Sequence, residues 1–592
     1  MRRWSELAER IAATSRTSEK TGLLRDYITS LSSDELPIAA VFLTGRPFAE
    51  TDQRAPGLGW AAIAATVTTL AGVSRSTLGE AYDRSSDLGI AVMDVLAQAG
   101  HAPDPAQAPT LPEVAATYAA VEAASGPARK GEVFAGLLAR CDPLTAKYVV
   151  KVLSGDLRIG LREGLVDAAL AQAFGRDLDR VKWAGMLLGD IGRLALLARE
   201  DRLGEAELTI FHPIKSMLAS PTEDAAEILS RLGPTVWIED KYDGIRAQLH
   251  KRGQTVRLFS RELHDISSGY PEIIEAASVL TWDGVLDGEL LAHRDGTVLP
   301  FVALQGRLGR KEPSAAVRTT VPVVYVAFDV LGLAAPGSGH VDALLAEPLQ
   351  ERRRRLTMLE LPMLEEGGTF VLSHLASADS SAALELAFGA ARARGNEGLM
   401  IKDPLSPYTP GRRGLGWLKM KKALATIDCV VVGVEVGHGK RHGVLSDYTF
   451  AVRDEASGRL LTIGKAYSGL TDAELGDMTR WFEDHTVSKH GRYHLVEPTV
   501  VVEVAFDAIL RSNRHKSGFT LRFPRIARLR PDKKADQADT VGVVRRLYGD
   551  LQAGTEHLVT AAARDTAGAD ADPDADADPV ADADPVAGPG GG

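Results

Sequence analysis

Lys241 lies in a short string, Lys241-Tyr242-Asp243-Gly244-Ile245-Arg246, whose residue types and spacing suit nucleophilic chemistry. A lysine that attacks a phosphorus atom must lose its proton near neutral pH. Because free lysine titrates at about 10.4, it needs burial or cationic neighbours to lower its pKa. Arg246 can supply that positive field, and Gly244 lets the backbone approach a ligand without a Cβ in the way. An exposed turn between two strands is the alternative, because strand-like residues flank the string on both sides.

Two carboxylates farther along the chain indicate a charged ligand. Glu289, in LDGELLA, and Glu397, in NEGLMIKD, each stand beside a glycine in an apolar setting. An unpaired carboxylate is costly there, so each residue points to a metal or a basic partner. A buried salt bridge is the structural alternative for either one.

A pair of lysines indicates an anion. In GLGWLKMKK, strand alternation puts Lys419 and Lys421 on one face, with Trp417 on the same side. Two ammonium groups that project together repel each other unless an anion lies between them. No G-x-x-x-x-G-K-[ST] string is present, which excludes a P-loop ATPase.

These strings occur in a fixed order between residues 239 and 533, together with FSRELHDIS, VAFDVLG and TLRFPR. The ordered series resembles the ATP-dependent DNA ligases and, beyond them, the nucleotidyltransferase superfamily that includes RNA ligases and mRNA capping enzymes. The resemblance implies that Lys241 is the residue that becomes adenylylated. It also implies that the anion between the two lysines is the α-phosphate of ATP or AMP.

The resemblance implies a role for each further matched residue. Glu239 would contact the adenine, and Phe328 would stack on it, whereas a phenylalanine in an apolar strand is otherwise a core residue. Glu289 and Glu397 would act on the ribose and on the catalytic divalent ion, normally Mg²⁺. The other implied ATP or AMP contacts are Arg246, Arg261, Arg413, Lys419, Lys421, Arg522 and Arg525, of which the last two would engage the departing β and γ phosphates.

Two segments are candidates for DNA contact. The string SGDLRIGLREG, residues 154–164, would expose backbone N–H groups and a helix N-terminus to a phosphate, although a helix-connecting turn explains its glycines nearly as well. It also resembles the nick-flanking DNA-binding domain of replicative-type ligases, which implies DNA contacts by Arg158, Gly160 and Arg162. Residues 511–530 contain seven Lys or Arg and no acid, a basic stripe of the kind that phosphate binding requires.

Length and composition bound the class of protein. A chain of 592 residues predicts three or four domains, and it has neither a long apolar run nor a signal-peptide core. Only Cys141 and Cys429 are present, which excludes a four-cysteine zinc site and argues against the NAD-dependent DNA ligases. Of the net charge of −11, eight charges come from aspartates in residues 565–592, so overall charge does not argue against DNA binding.

The patterns predict a multidomain α and α+β chain. Residues 1–205 have helical spacing and predict an all-helical domain, which the resemblance makes DNA-binding. Residues 206–422 predict a mixed α/β domain, by resemblance the nucleotidyltransferase or adenylation domain. Residues 423–550 predict a small β-barrel, by resemblance an OB-fold. Residues 551–592 would form a linker and an acidic Ala/Asp/Pro tail, disordered because it cannot bury enough apolar surface.

We therefore expect an ATP-dependent DNA ligase that seals nicks in double-stranded DNA through lysyl-AMP and 5′-adenylated DNA intermediates. The expected substrate is ATP and the expected metal is Mg²⁺, in a prokaryotic, cytoplasmic, nucleoid-associated monomer without membrane contact. An RNA ligase or capping-type enzyme and a non-enzymatic DNA-binding scaffold are the alternatives. The sequence leaves open whether a sliding clamp or repair proteins bind it, and whether it serves replication, recombination or repair.

Overall fold

The computed structural model describes residues 1–222, 224–294, 297–299, 301–310, 312–338, 340–394, 396–411, 413–421, 425–437, 441 and 443–552. The chain divides into two compact units, Met1–Lys421 and Lys422–Gly592. The predicted disordered tail lies outside the described residues. In the part of the chain that the structure describes, no helix combines the length and the apolar character that a membrane crossing requires.

The first unit begins with a helical region. Its helices are α1 (Arg2–Ala12), α2 (Thr17–Thr29), α3 (Glu35–Leu43), α4 (Trp60–Ala71), α5 (Arg75–Ser85), α6 (Leu88–Gln98), α7 (Leu111–Ala123), α8 (Pro127–Leu138), α9 (Pro143–Leu153), α10 (Glu163–Phe174), α11 (Leu178–Leu188) and α12 (Ile191–Glu200). Side chains cap several of them: Asp142 accepts from two N–H groups of α9, and Thr110 with Glu113 forms a capping box on α7. The helices pack around buried aromatic residues, among them Trp4, Phe42 and Tyr148. The predicted helical N-terminal region is confirmed.

The rest of the first unit holds two sheets. A five-stranded sheet has the order β1-β12-β11-β2-β10, from β1 (Leu218–Thr222), β2 (Val236–Lys241), β10 (Leu375–Ala378), β11 (Gly398–Lys402) and β12 (Arg413–Met420). A seven-stranded sheet has the order β4-β3-β5-β7-β8, with β6 on β5 and β9 on β7, from β3 (Ile245–Arg252), β4 (Thr255–Ser260), β5 (Asp283–Arg294), β6 (Thr297–Val298), β7 (Val323–Ala334), β8 (Asp342–Ala343) and β9 (Phe370–Leu372). Along the chain, these strands are separated by the helices α13 (Ala225–Leu232), α14 (Pro271–Ser278), α15 (Phe301–Gln305), α16 (Ala315–Thr320), α17 (Leu349–Thr357) and α18 (Ser381–Ala393).

Period-two alternation gives the five-stranded sheet one apolar face and one charged face. Ile238, Ile401 and Leu418 belong to a buried cluster with Ile228 of α13 and Phe388 of α18. The residues between them project from the opposite face. There, Glu239 is paired in register with Met400, which is paired in turn with Lys419. The charged face is therefore assembled from three neighbouring strands.

The second unit is rich in β-structure. It contains β13 (Ala425–Val436), β14 (Leu445–Arg453), β15 (Leu460–Ala466), α19 (Asp472–Asp484), β16 (Thr486–His490), β17 (Tyr493–Val496), β18 (Val501–Phe506), β19 (Ala508–Arg511), β20 (Phe519–Arg522), β21 (Arg525–Leu529) and α20 (Val541–Gln552). The long strand β13 pairs with β14, β17 and β18 along its length, and β21 continues the sheet from β18. The predicted β-rich C-terminal region is confirmed.

Candidate active site

A short turn carries the chain from one sheet of the first unit to the other. Lys241 is the last residue of β2, and Ile245 is the first residue of β3. A Cβ at Gly244, between them, would stand 2.4 Å from the Leu290 carbonyl oxygen and 2.8 Å from Cγ of Glu289. Glycine is required there because the turn lies directly against β5.

Lys241 shares a carboxylate with Lys421. Its Nζ lies 2.5 Å from Oε2 of Glu397, and Nζ of Lys421 lies 2.6 Å from the same oxygen. The backbone N–H of Glu397 also donates to the Lys241 carbonyl at 2.8 Å. The two ammonium groups hold the pKa of Glu397 well below its usual range, against the opposing effect of burial. The structure thus brings together three residues predicted from separate strings.

Glu289 lies on β5, beside this cluster. Burial raises the pKa of Glu289 to about 8, because desolvation outweighs the attraction of Lys241 and Arg246. A cation placed against this carboxyl would favour its ionised form.

The guanidinium of Arg246 has a different environment from the one that the sequence suggests. It donates to both carboxylate oxygens of Asp287, at 3.2 and 2.7 Å, and to the Met217 carbonyl at 2.6 Å. Tyr408 donates to the same buried Asp287 at 2.6 Å. The positive charge of Arg246 is therefore largely balanced by Asp287, and Lys421 is the cationic group that meets Lys241 at a common oxygen.

A second buried ion pair lies farther along the charged face. Oε2 of Glu239 accepts from Nζ of Lys402 at 2.6 Å, and Arg353 lies 3.7 Å from the other carboxylate oxygen. The Lys402 ammonium lies 4.8 Å from the ring centre of Phe328 and 4.3 Å from that of Trp417. A bulge in β7 places Phe328 between Ala327, opposite Gly288, and Asp329, opposite Asp287. Glu239 and Phe328, both predicted, thus come close together around Lys402.

Sequence reasoning missed Lys402, Arg353 and Asp287. Lys402 could have been predicted, because it follows Met400 by two residues in NEGLMIKD and therefore lies on the same face of β11. The pairing of Asp287 with Arg246 has no signal in the sequence, since it depends on which strands become neighbours.

The remaining predicted nucleotide contacts are more dispersed. Arg413 is the first residue of β12, and Lys419, on the same strand, is partly buried. Arg261 is exposed in the turn after β4. Arg522 and Arg525 belong to the second unit, at the end of β20 and the start of β21, where the Arg522 guanidinium lies 4.9 Å from the ring centre of Phe523.

The candidate DNA-binding loop, residues 154–162, has an unusual backbone. Gly155, Arg158 and Gly160 have φ values of 74°, 44° and 62°, so the loop is left-handed at three points. Lys20 of α2 is 5% exposed, and its Nζ donates to the carbonyls of Ile159 and Gly160 at 2.9 and 2.7 Å. Arg162 is the N-cap of α10, which begins at Glu163. The structure thus places Arg158, Gly160 and Arg162 in one loop, whose backbone is held by the hydrogen bonds from Lys20.

Comparisons with known proteins match nearly the whole chain. Three protein-family models match the chain. The family model described as "ATP dependent DNA ligase domain" matches residues 216–421, "DNA ligase N terminus" matches 1–171, and "ATP dependent DNA ligase C terminal region" matches 441–533. A "Probable DNA ligase" of Koribacter versatilis is 45% identical over 92% of this chain and 96% of its own length. One of Opitutus terrae is 43% identical over 95% of this chain, which spans 63% of that longer relative. The solved structure "Pmar-Lig_Pre." shares the fold, with a TM-score of 0.55 at 16% identity over 89% of this chain and 99% of that one.

Proposed function

Because the chain belongs to the family of ATP-dependent DNA ligases, we propose that it seals nicks in duplex DNA with Lys241 as its nucleophile. Nζ of Lys241 attacks the α-phosphorus of ATP, the bond to the β-phosphate breaks, pyrophosphate leaves and the amine gives up a proton. The AMP then passes from Lys241 to the 5′-phosphate of the nick. The 3′-hydroxyl attacks that phosphate, AMP leaves and the strand is closed.

The arrangement of Lys241, Glu397 and Lys421 is the observation that carries this proposal. Two ammonium groups meet at one carboxylate oxygen, at 2.5 and 2.6 Å, at the end of a sheet face that also bears Lys419. Phosphate oxygens can replace the carboxylate as the partner of these cations when the nucleotide binds. Rate then comes from positioning and from cations placed against developing phosphate charge.

The other walls of the site suit the rest of the nucleotide. Glu239 can accept from the adenine amino group while Lys402 balances its charge, and Phe328 offers a ring beside it. We assign the ribose to Arg261 and Glu289, and the phosphates to Arg246, Arg413, Lys419 and Lys421. Arg522 and Arg525 of the second unit are assigned to the departing pyrophosphate, and residues 154–162 to the DNA backbone.

The donor set suits Mg²⁺ held jointly with the substrate. Mg²⁺ binds through few carboxylates and several phosphate or water oxygens, and Glu289 with Glu397 supplies two carboxylates at the site. Among the described residues no three His, Cys, Asp or Glu side chains form a metal-binding group. When bound, the ion would offset phosphate charge.

We further propose that residues 1–205, 206–422 and 423–550 are the DNA-binding, adenylation and OB-fold domains. The pairing of β13 supports a barrel, because its residues 425–430 pair with β18 and its residues 430–436 pair with β14 and β17, so one long strand passes from one set of partners to another. A monomer in the cytoplasm, associated with the nucleoid, stays our expectation.

A labelling assay tests the function directly. The purified chain is incubated with α-labelled ATP and Mg²⁺, and the covalently labelled protein is then offered nicked DNA and nicked RNA duplexes. We expect label on the protein, followed by transfer to nicked DNA and sealing. Sealing of RNA alone would favour an RNA ligase, and absence of label would favour a non-enzymatic DNA-binding protein.

A further inference from the structure

The helical region holds the turn that bears Arg261. This Arg261 turn, residues 260–265, follows β4 and is closed by a bridge between Phe259 and Asp265. The side-chain amide of Gln53 donates to the Leu263 carbonyl at 2.8 Å, and its oxygen accepts from the Asp265 N–H at 2.7 Å. One glutamine therefore satisfies both a donor and an acceptor of the turn backbone.

The backbone between those two contacts is strained. Leu263 has φ of 65°, a left-handed conformation that a leucine adopts only where its surroundings hold it. Its side chain is 1% exposed. A Cβ at Gly189, just after α11, would stand 3.8 Å from Cδ1 of Leu263 and 2.5 Å from Cγ2 of Thr51. The helical region thus lies close to the strained side chain and also binds its backbone.

The segment that carries Gln53 is itself anchored. Glu50 accepts from Nζ of Lys215 at 2.8 Å, which ties it to the segment that leads into β1. The Arg54 guanidinium lies 4.5 Å from the ring centre of Phe48 and pairs with Asp52 at 2.6 Å. Gln53 is therefore presented to the Arg261 turn from a fixed loop, although Gln53 itself is exposed to solvent.

We infer that Gln53 is a positioning residue for Arg261, because it fixes the turn from which the arginine projects. The inference rests on the proposed role of Arg261 in nucleotide binding. It makes the helical region a contributor to the first chemical step, in addition to its proposed part in holding DNA.

A double-mutant cycle on the full-length chain tests this inference. The single-turnover rate of enzyme adenylylation is measured for the wild type, Gln53→Ala, Arg261→Ala and the double variant. Loss of two backbone contacts should slow adenylylation about three- to tenfold in Gln53→Ala, and loss of the arginine should slow it about tenfold or more. In the Arg261→Ala background, Gln53→Ala should have no further effect, because the residue through which it acts is gone.

Two further variants separate positioning from general destabilisation. Gln53→Glu keeps the acceptor for Asp265 but cannot donate to Leu263, so it should also slow adenylylation. Gln98→Ala, an exposed glutamine at the end of α6, should match the wild type. If Gln53→Ala only destabilised the protein, it would slow adenylylation by the same factor in the wild-type and Arg261→Ala backgrounds.

The outcomes distinguish this inference from the proposed function. Equal losses in the two backgrounds, or a wild-type rate for Gln53→Ala and Gln53→Glu, would overturn the role of Gln53. A wild-type rate for Arg261→Ala would overturn it as well, while loss of labelling in Lys241→Ala would still support the ligase chemistry. Labelling of Lys241→Ala would instead overturn the proposed nucleophile.

Discussion

Glu397 is joined to Lys241 twice, by an N–H to carbonyl hydrogen bond of 2.8 Å and by a side-chain contact of 2.5 Å. The backbone contact sets the register of β11 against β2, and the side-chain contact fixes the position of the amine. Glu397 therefore orients the proposed nucleophile before any nucleotide is present. In the proposed reaction this contact must be exchanged for phosphate contacts before Nζ can reach the α-phosphorus.

We expect Lys241→Ala and Lys241→Arg to abolish covalent labelling from ATP, because the matched strings contain no other lysine placed as the family nucleophile. Sealing of a nick that already carries 5′-adenylate should persist in part, since that step does not use the amine as a nucleophile. Labelling and sealing are measured side by side, with exposed Lys489→Ala as the control. Retained labelling of Lys241→Ala would contradict the assignment.

Lys402→Met should weaken ATP binding at least about tenfold, because a buried carboxylate that loses its partner destabilises the site by roughly 3–5 kcal/mol. Glu239 would then depend on Arg353, 3.7 Å away. The KM for ATP in adenylylation and the melting temperature report the effect. The double variant Glu239→Gln with Lys402→Met should recover the melting temperature but not ATP binding, and a Lys402→Met protein equal to the wild type in both would refute the idea.

Lys20→Met should raise the KM for nicked DNA severalfold and leave enzyme adenylylation unchanged, since each of its two hydrogen bonds to the loop contributes about 1 kcal/mol. The matched control is Lys147→Met, another buried lysine of the helical region, which pairs with Glu9. If both variants raise the KM equally, the effect is one of domain stability and residues 154–162 have no special place in DNA binding.

The first unit should lose stability as the pH falls below about 6.5, in part through His250. Nδ1 of His250 accepts from the Phe211 N–H at 3.0 Å, and burial, with His212 nearby, lowers the pKa of His250 to about 3. As the pH falls, the unfolded chain therefore binds this proton before the folded chain does. The free energy of unfolding then decreases by about 1.4 kcal/mol per pH unit between pH 6.5 and 3. Calorimetric unfolding across this range should show a shallower decline for His250→Gln, and an unchanged slope would exclude His250 as a cause.

The sequence predicted which residues lie together at the site better than it predicted the contacts that hold them. Lys241, Glu397 and Lys421 follow from ordered strings and strand alternation, which are local properties. The partners of Arg246 and Glu239 do not, because Asp287 and Lys402 reach them only through the order of strands in two sheets. Gln53 is more remote still, since it meets Leu263 across two parts of the chain with no common pattern.

The turn at Gly244 divides the proposed nucleotide-binding residues between the two sheets of the first unit. Lys241, Glu239, Lys402 and Lys419 lie on the five-stranded sheet, whereas Arg246, Glu289 and Phe328 lie on the seven-stranded sheet. AMP bonded to Lys241 would therefore move with the five-stranded sheet whenever the angle between the two sheets changes. Phe328 would withdraw from the base while the phosphate stayed with its lysines, so the activated group could be exposed without being released.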